Sequence, residues 1–69
     1  MNRYEVVIYW NSDEEAFVAE VPELSGCAAE GQTREAAIVN VEAVIQDWLE
    51  SAREAGRQIP EPRGRVTIA

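Results

Sequence analysis

Residues 33–56 read "TREAAIVNVEAVIQDWLESAREAG", which is the strongest structural signal in the sequence. Its apolar side chains recur at intervals of three and four residues, the spacing of one buried helix face. They are Ala37, Ile38, Val41, Val44, Ile45, Trp48, Leu49 and Ala52. Thr33 is placed to cap the amino end, and Gly56 is placed to cap the carboxyl end. The stretch therefore predicts an amphipathic helix of about six turns at 3.6 residues each, long enough to cross a whole sheet.

Upstream of this helix, the pattern changes to the composition of strands. Residues 3–10, "RYEVVIYW", are rich in β-branched and aromatic side chains, and residues 16–21, "AFVAEV", alternate between two faces. The polar run "NSDEE" between them, residues 11–15, supplies turn formers and charge. These three segments predict an antiparallel hairpin.

A proline and a glycine mark the next change of direction. Pro22 cannot donate a ladder hydrogen bond, so the second strand should end there, and Gly26 suits a bend with positive φ. We predict a third strand at residues 27–30, "CAAE", closed by Gly31. Downstream of the helix, the prolines at 60 and 62 favour an extended connection to a possible short strand at residues 65–69.

The predicted order of elements is β-β-β-α-β within a single domain, residues 1–69. This is an α+β fold, in which one long helix packs on a three-stranded antiparallel sheet with a short C-terminal strand. A helix on one side leaves the other side of the sheet uncovered. We therefore expect Val7, Tyr9 or Val18 to be partly exposed, and such a surface tends to bind a partner.

The net charge of the chain limits the kinds of macromolecule that it could bind. The 69 residues include 13 acidic and 6 basic side chains, for a net charge of −7. This balance disfavours direct nucleic-acid binding and favours a basic protein, although the charge could serve solubility alone. The apolar runs are shorter than the about 18 residues of a membrane span, and no cleavable leader is evident, so we expect a cytoplasmic protein without a membrane partner.

The usual catalytic and metal-binding residue sets are missing from the chain. It contains no histidine and one cysteine, Cys27, which excludes most catalytic triads, disulfides and zinc sites. Cys27 is better interpreted as a small buried apolar residue than as a redox thiol. The densest carboxylate run, residues 13–15, falls in the predicted hairpin turn and is interpreted as a solvated tip. We predict no enzyme, no cofactor and no metal site.

Three passages together resemble the HicB family of antitoxins from type II toxin–antitoxin pairs. They are "FVAEVPELSGC" at residues 17–27, "EGQTREAAIVNVEAVIQDWLE" at 30–50 and "IPEP" at 59–62. The resemblance implies a partial ribonuclease-H-like fold, in a short form without the DNA-binding domain that many members carry. It also implies a function: neutralising a HicA-type toxin, a small basic protein that cleaves mRNA, by covering its active site.

The residues expected to bind this partner combine acidic side chains near the hairpin and the bend with apolar side chains of the sheet. They are Asp13, Glu14, Glu20, Glu23, Tyr9 and Val18. The carboxylates would steer the toxin, and contact would be made through the sheet face or by strand addition at an edge strand. The same sheet could support a homo-oligomer. The first alternative is a stand-alone oligomeric structural protein or small-ligand binder of the same fold, without a toxin partner. The second is a metal-dependent nuclease, which the single carboxylate of the first strand, Glu5, disfavours.

Overall fold

A computed structural model describes residues 4–60 and the backbone of residues 66–68. The elements are β1 (Val6–Asn11), β2 (Ala16–Glu20), β3 (Ala28–Gly31), α1 (Arg34–Ala55) and β4 (Val66–Ile68). The strands form one sheet in the order β3-β2-β1-β4, in which β4 runs parallel to β1 and the other pairs are antiparallel. The predicted α+β class and order of elements are confirmed.

The first hairpin forms where the sequence predicts it, but both ends of its first strand are shifted. The predicted strand covers residues 3–10, whereas β1 starts at Val6 and leaves Tyr4 and Glu5 outside it; residue 3 lies outside the described residues. β1 includes Asn11, which pairs with Ala16, so the turn is confined to residues 12–15. The Asn11 side chain explains this difference, because its Oδ1 accepts hydrogen bonds from the backbone N–H groups of Asp13 (3.0 Å) and Glu14 (3.2 Å). Asn11 thus holds the turn while its backbone remains in the strand.

The bend between β2 and β3 is larger than predicted by one residue at each end. The N–H of Val21 donates to the carbonyl of Cys27 at 3.0 Å, in register with the ladder, but the carbonyl of Val21 accepts the N–H of Leu24 at 3.0 Å, so the regular strand pairing ends here. Cys27 also stays in the bend, since its own N–H donates to the carbonyl of Leu24 at 3.1 Å. β3 therefore runs from Ala28 to Gly31, rather than over residues 27–30.

At Gly31 the helix backbone lies very close to the sheet. A Cβ atom there would lie 2.7 Å from the backbone carbon of Ala36, and closer still to the backbone nitrogen of Ala37. Only a residue without a side chain lets the first turn of α1 rest directly on β3.

Both predicted caps of α1 are confirmed. The Thr33 side chain accepts a hydrogen bond from the N–H of Ala36 at 3.0 Å, and Gly56 has φ 69° in the left-handed region. The predicted stripe faces the sheet: Ala37, Val41, Ile45 and Ala52 are buried, and Ile38, Val44, Trp48 and Leu49 pack against the core as half-buried side chains. In the parts of the chain that the structure describes, no helix is long and apolar enough to cross a lipid bilayer.

The core lies between α1 and one side of the sheet. Ile8, Ala19, Val41 and Ile45 are fully shielded from solvent there. The connection after the helix returns to the first strand, where the hydroxyl of Tyr4 donates to the carbonyl of Pro60 at 2.7 Å. Of the predicted strand 65–69, residues 66–68 are confirmed, while residues 65 and 69 and the second linker proline, at 62, lie outside the described residues.

Candidate functional site

The side of the sheet away from the helix carries the candidate site. Side chains alternate along a strand, and Ile8 and Ala19 point to the helix, so their neighbours in the chain point the other way. We call this surface the open face. It consists of Val7, Tyr9, Val18, Glu20, Ala28 and Glu30. Tyr9, Val18 and Glu20 were expected to bind a partner, and the structure brings these three together.

Val18 is more deeply buried than the sequence suggests. The expectation that it is partly exposed is wrong, because only 7% of its surface is accessible. β2 is an inner strand, and Val18 lies directly between Tyr9 of β1 and Glu30 of β3 in the register of the sheet. Val18 therefore forms the floor of the open face, whereas Val7 and Tyr9 are half-buried as expected.

Two carboxylates act on the phenol of Tyr9. The pKa of Tyr9 is raised above its ordinary value of 10.0 by loss of solvent, then by the charge of Glu20 and a hydrogen bond with its side chain, and then by the charge of Glu30. Glu20 and Glu30 are both exposed. The phenol therefore stays neutral at physiological pH, and it sits beside two negative charges that face solvent.

Glu30 was not among the residues expected from the sequence. The signal that could have found it is the two-residue period of β3, which places Ala28 and Glu30 on the same side of the sheet. Its importance depends on the pairing of Glu30 with Val18, and this register is not evident from a strand of four residues.

A shallow groove extends the open face over the bend. Its volume is about 300 Å³, and it is lined by residues 20–22 and 24–28. Leu24 and Cys27 form its buried base, while Pro22, Ser25 and Gly26 are exposed along its rim. Burial raises the pKa of the Cys27 thiol above its ordinary value of 9.0, so this group stays protonated, in agreement with its interpretation as a buried apolar residue.

The remaining predicted residues lie elsewhere. Asp13 and Glu14 are exposed in the turn of the first hairpin. Glu23 is half-buried and points inward, where its Oε1 accepts the N–H of Glu5 at 2.8 Å. The structure thus separates the six residues into three places: the open face, the hairpin turn and the inner side of the bend.

A fourth feature is an aromatic cluster at the hairpin end of the sheet. Trp10 is 51% exposed, and its ring meets Phe17 edge-to-face at 5.1 Å between centroids. The guanidinium of Arg34 lies 4.9 Å from the centroid of Phe17. The exposure of Trp10 favours a place at an interface over one at the rim of the core.

The fold and its surfaces define a small acidic α+β domain whose open face is built from apolar side chains and carboxylates. The family model described as "HicB_like antitoxin of bacterial toxin-antitoxin system" matches residues 4–67. The chain therefore belongs to the HicB-like antitoxin family. Membership of an antitoxin family argues against an enzymatic role.

Two curated relatives are similar over most of their length. A UPF0150 protein of Synechocystis sp. is 40% identical over 63 residues, which are 91% of this chain and 85% of the relative. A UPF0150 protein of Thermoplasma acidophilum is 34% identical over 59 residues, which are 84% of this chain and 83% of the relative. No solved structure matches the chain significantly.

Proposed function

We propose that this chain is the antitoxin of a toxin–antitoxin pair and that its open face covers the active site of a basic, HicA-type mRNA-cleaving toxin. The observation that carries the proposal is the arrangement of Glu20 and Glu30 around Tyr9, over the buried Val18. It supplies negative charge and an aromatic contact in one place on an exposed sheet surface. Membership of the HicB-like antitoxin family supports the same role.

Electrostatics would govern the encounter. A chain of net charge −7 attracts a basic protein over distances of about 10 Å at 0.1 M salt, and exposed carboxylates mainly raise the rate of association. Tyr9 would then supply the contact itself, since aromatic side chains bury a large area at low conformational cost. Val18 is already buried in the free chain, so it would position Tyr9 and Glu30 rather than add new contact area.

Docking on the face is favoured over the addition of a strand at β3. This strand lies at the edge of the sheet, where a partner strand could pair with it in principle. However, the carbonyl of Glu30 already accepts a hydrogen bond from Nδ2 of Asn40 at 2.7 Å. One backbone acceptor of a strand of only four residues is thus occupied by the chain's own helix.

Co-expression with the protein encoded in the neighbouring reading frame tests the proposal. A tagged copy of this chain should capture that protein and abolish its RNA cleavage. In the double variant Glu20→Gln/Glu30→Gln, we expect association to slow about tenfold at low salt and the salt dependence to flatten. Glu50→Gln/Glu54→Gln, which removes two exposed charges from the helix, is the matched control.

Two results would contradict the proposal. The first is that no RNA-cleaving partner is captured. The second is that the helix variant slows association as much as the double variant on the sheet, since the charge of the chain would then act without a defined face. Sedimentation of the free chain in the same experiments measures whether it forms the homo-oligomer that the uncovered sheet suggests.

A further inference from the structure

The ring of Trp10 is exposed, although it lies on the side of the sheet that packs against the helix. It lies on the helix side of the sheet, opposite Phe17 in the strand register, and half of its surface remains accessible (51%). The indole packs edge-to-face against Phe17, with an interplanar angle of 69°, and this contact limits the orientations open to it. A large aromatic side chain exposed in this way is typical of a binding anchor.

Two other partly exposed rings of the chain show what such a surface accepts. The guanidinium of Arg34 lies 4.9 Å from the centroid of the Phe17 ring, and the guanidinium of Arg57 lies 5.3 Å from the centroid of the Trp48 ring. Within residues 4–60, Trp10 is the most exposed of these three rings, and no cation lies over it. Tryptophan is the best aromatic partner for a cation, and arginine is the cation most often found on it.

Local charge decides between the possible occupants. The turn that follows Trp10 presents three exposed carboxylates, at residues 13–15, and Glu35 adds a fourth in the first turn of the helix. Among the described residues, Arg34 is the basic residue at this end of the sheet, and its guanidinium already lies over the ring of Phe17. A second copy of the chain would bring like charges together at this end, whereas an arginine from a basic partner would find both an aromatic ring and carboxylates.

We propose that Trp10, together with the carboxylates of the hairpin turn, is a binding subsite for an arginine side chain of the basic partner protein. The partner's identity as a toxin rests on the proposed function above, but the arginine chemistry of the subsite does not. The subsite lies on the opposite side of the sheet from Tyr9 and Glu20. A partner that contacts both the subsite and the open face would bind the first hairpin on both sides of the sheet.

The two tryptophan indole N–H signals in a nuclear magnetic resonance spectrum of the labelled chain give a direct test. Trp48 donates its Nε1–H to the carbonyl of Ser25 at 2.8 Å and already carries Arg57, so its signal is the internal control. The probes are a capped peptide of alternating arginine and glycine, and the same peptide with citrulline in place of arginine. We expect the arginine peptide alone to move the Trp10 signal, and the Trp48 signal to stay in place.

The second measurement uses the captured, catalytically inactivated toxin. We expect Trp10→Ala to weaken its binding about two- to fivefold, the effect of an exposed cation–π contact, and Trp10→Phe to retain part of the affinity. Thermal unfolding of both variants identifies any loss of folded protein. Trp10→Phe also assigns the indole signals.

The outcomes separate the two proposals. If the toxin binds with unchanged affinity to Trp10→Ala, or if the arginine peptide moves only open-face signals, the subsite is overturned and the antitoxin proposal stands. If the arginine peptide moves the Trp10 signal but no toxin is captured, the subsite stands and the antitoxin proposal fails. Equal shifts with the citrulline peptide would also overturn the subsite, because they would show contact without charge.

Discussion

The chain connects antiparallel strands twice, and the two connections are built in opposite ways. The turn at residues 12–15 is exposed throughout and is held by a single side chain, Asn11. The bend at residues 21–27 is anchored from several directions, with Leu24 and Cys27 buried at its base. The turn is therefore a local structure that can carry binding residues, whereas the bend is part of the core.

The largest effect should come from Leu24, which is only 1% exposed. We expect Leu24→Ala to lower the free energy of unfolding by about 2–5 kcal/mol, because it removes buried methyl groups and leaves a cavity under the bend. Leu24→Met, which conserves volume, should cost less than about 1.5 kcal/mol. Urea unfolding measures both variants, and equal losses in the two would show that the bend is not a packed structure.

Thiol labelling extends this test to a variant that is still folded. Cys27 is buried, and its N–H donates to the carbonyl of Leu24, so a loosened bend should expose the thiol. We expect a thiol reagent to label the native protein slowly and Leu24→Ala faster, at a urea concentration where both remain folded. Equal labelling rates would place Cys27 outside the influence of Leu24.

The next effect should come from Glu23, which joins the bend to Glu5, the residue just before β1. Glu23→Ala leaves the N–H of Glu5 without this acceptor, and we expect a loss of about 1–3 kcal/mol. Glu23→Gln keeps an acceptor oxygen and should lose less. A result in which both variants unfold like the parent would show that this contact adds nothing to the bend.

Tyr4 reports the charge of Glu23 independently. Its pKa is raised above 10.0 by burial and then by the charge of Glu23, while Arg53 acts in the opposite direction. The folded pKa exceeds the unfolded one, so this contribution to stability is present below about pH 10 and is lost as pH rises through the folded value. Glu23→Gln should lower the titration of Tyr4, measured by tyrosinate absorbance, with Tyr4→Phe as the assignment control.

The same contrast explains which features the sequence could predict. The helix, its caps and the first turn depend on residues close together in the chain, such as Thr33 with Ala36, so their pattern is visible in the sequence. The inward orientation of Glu23 depends on a backbone group 18 residues away, and the burial of Val18 depends on strands that pair on both sides. The place of Glu30 on the open face depends on the register between β3 and β2, which the sequence of a four-residue strand does not reveal.

A smaller effect should come from Trp48, which holds the outer side of the bend. Trp48→Phe removes the hydrogen bond from its indole to the carbonyl of Ser25, at a cost of about 1 kcal/mol. Trp10→Phe is the matched variant near the hairpin turn, where the indole is exposed and we expect less than about 0.5 kcal/mol. Urea unfolding compares the two variants. A larger loss of stability for Trp10→Phe would contradict the conclusion that the bend is packed into the core and the turn is not.

The smallest effect should come from Asn11, although it holds the entire hairpin turn. Asn11→Ala removes the acceptor for two backbone N–H groups, but both are exposed and water replaces the bonds, so we expect about 0.5–1 kcal/mol. Asp13→Ala, which spares those bonds, should change stability by less than about 0.5 kcal/mol. Urea unfolding again gives the values. A loss for Asn11→Ala as large as that for Leu24→Ala would mean that the turn is coupled to the core. Substitutions of the carboxylates in the turn would then also change the stability of the fold.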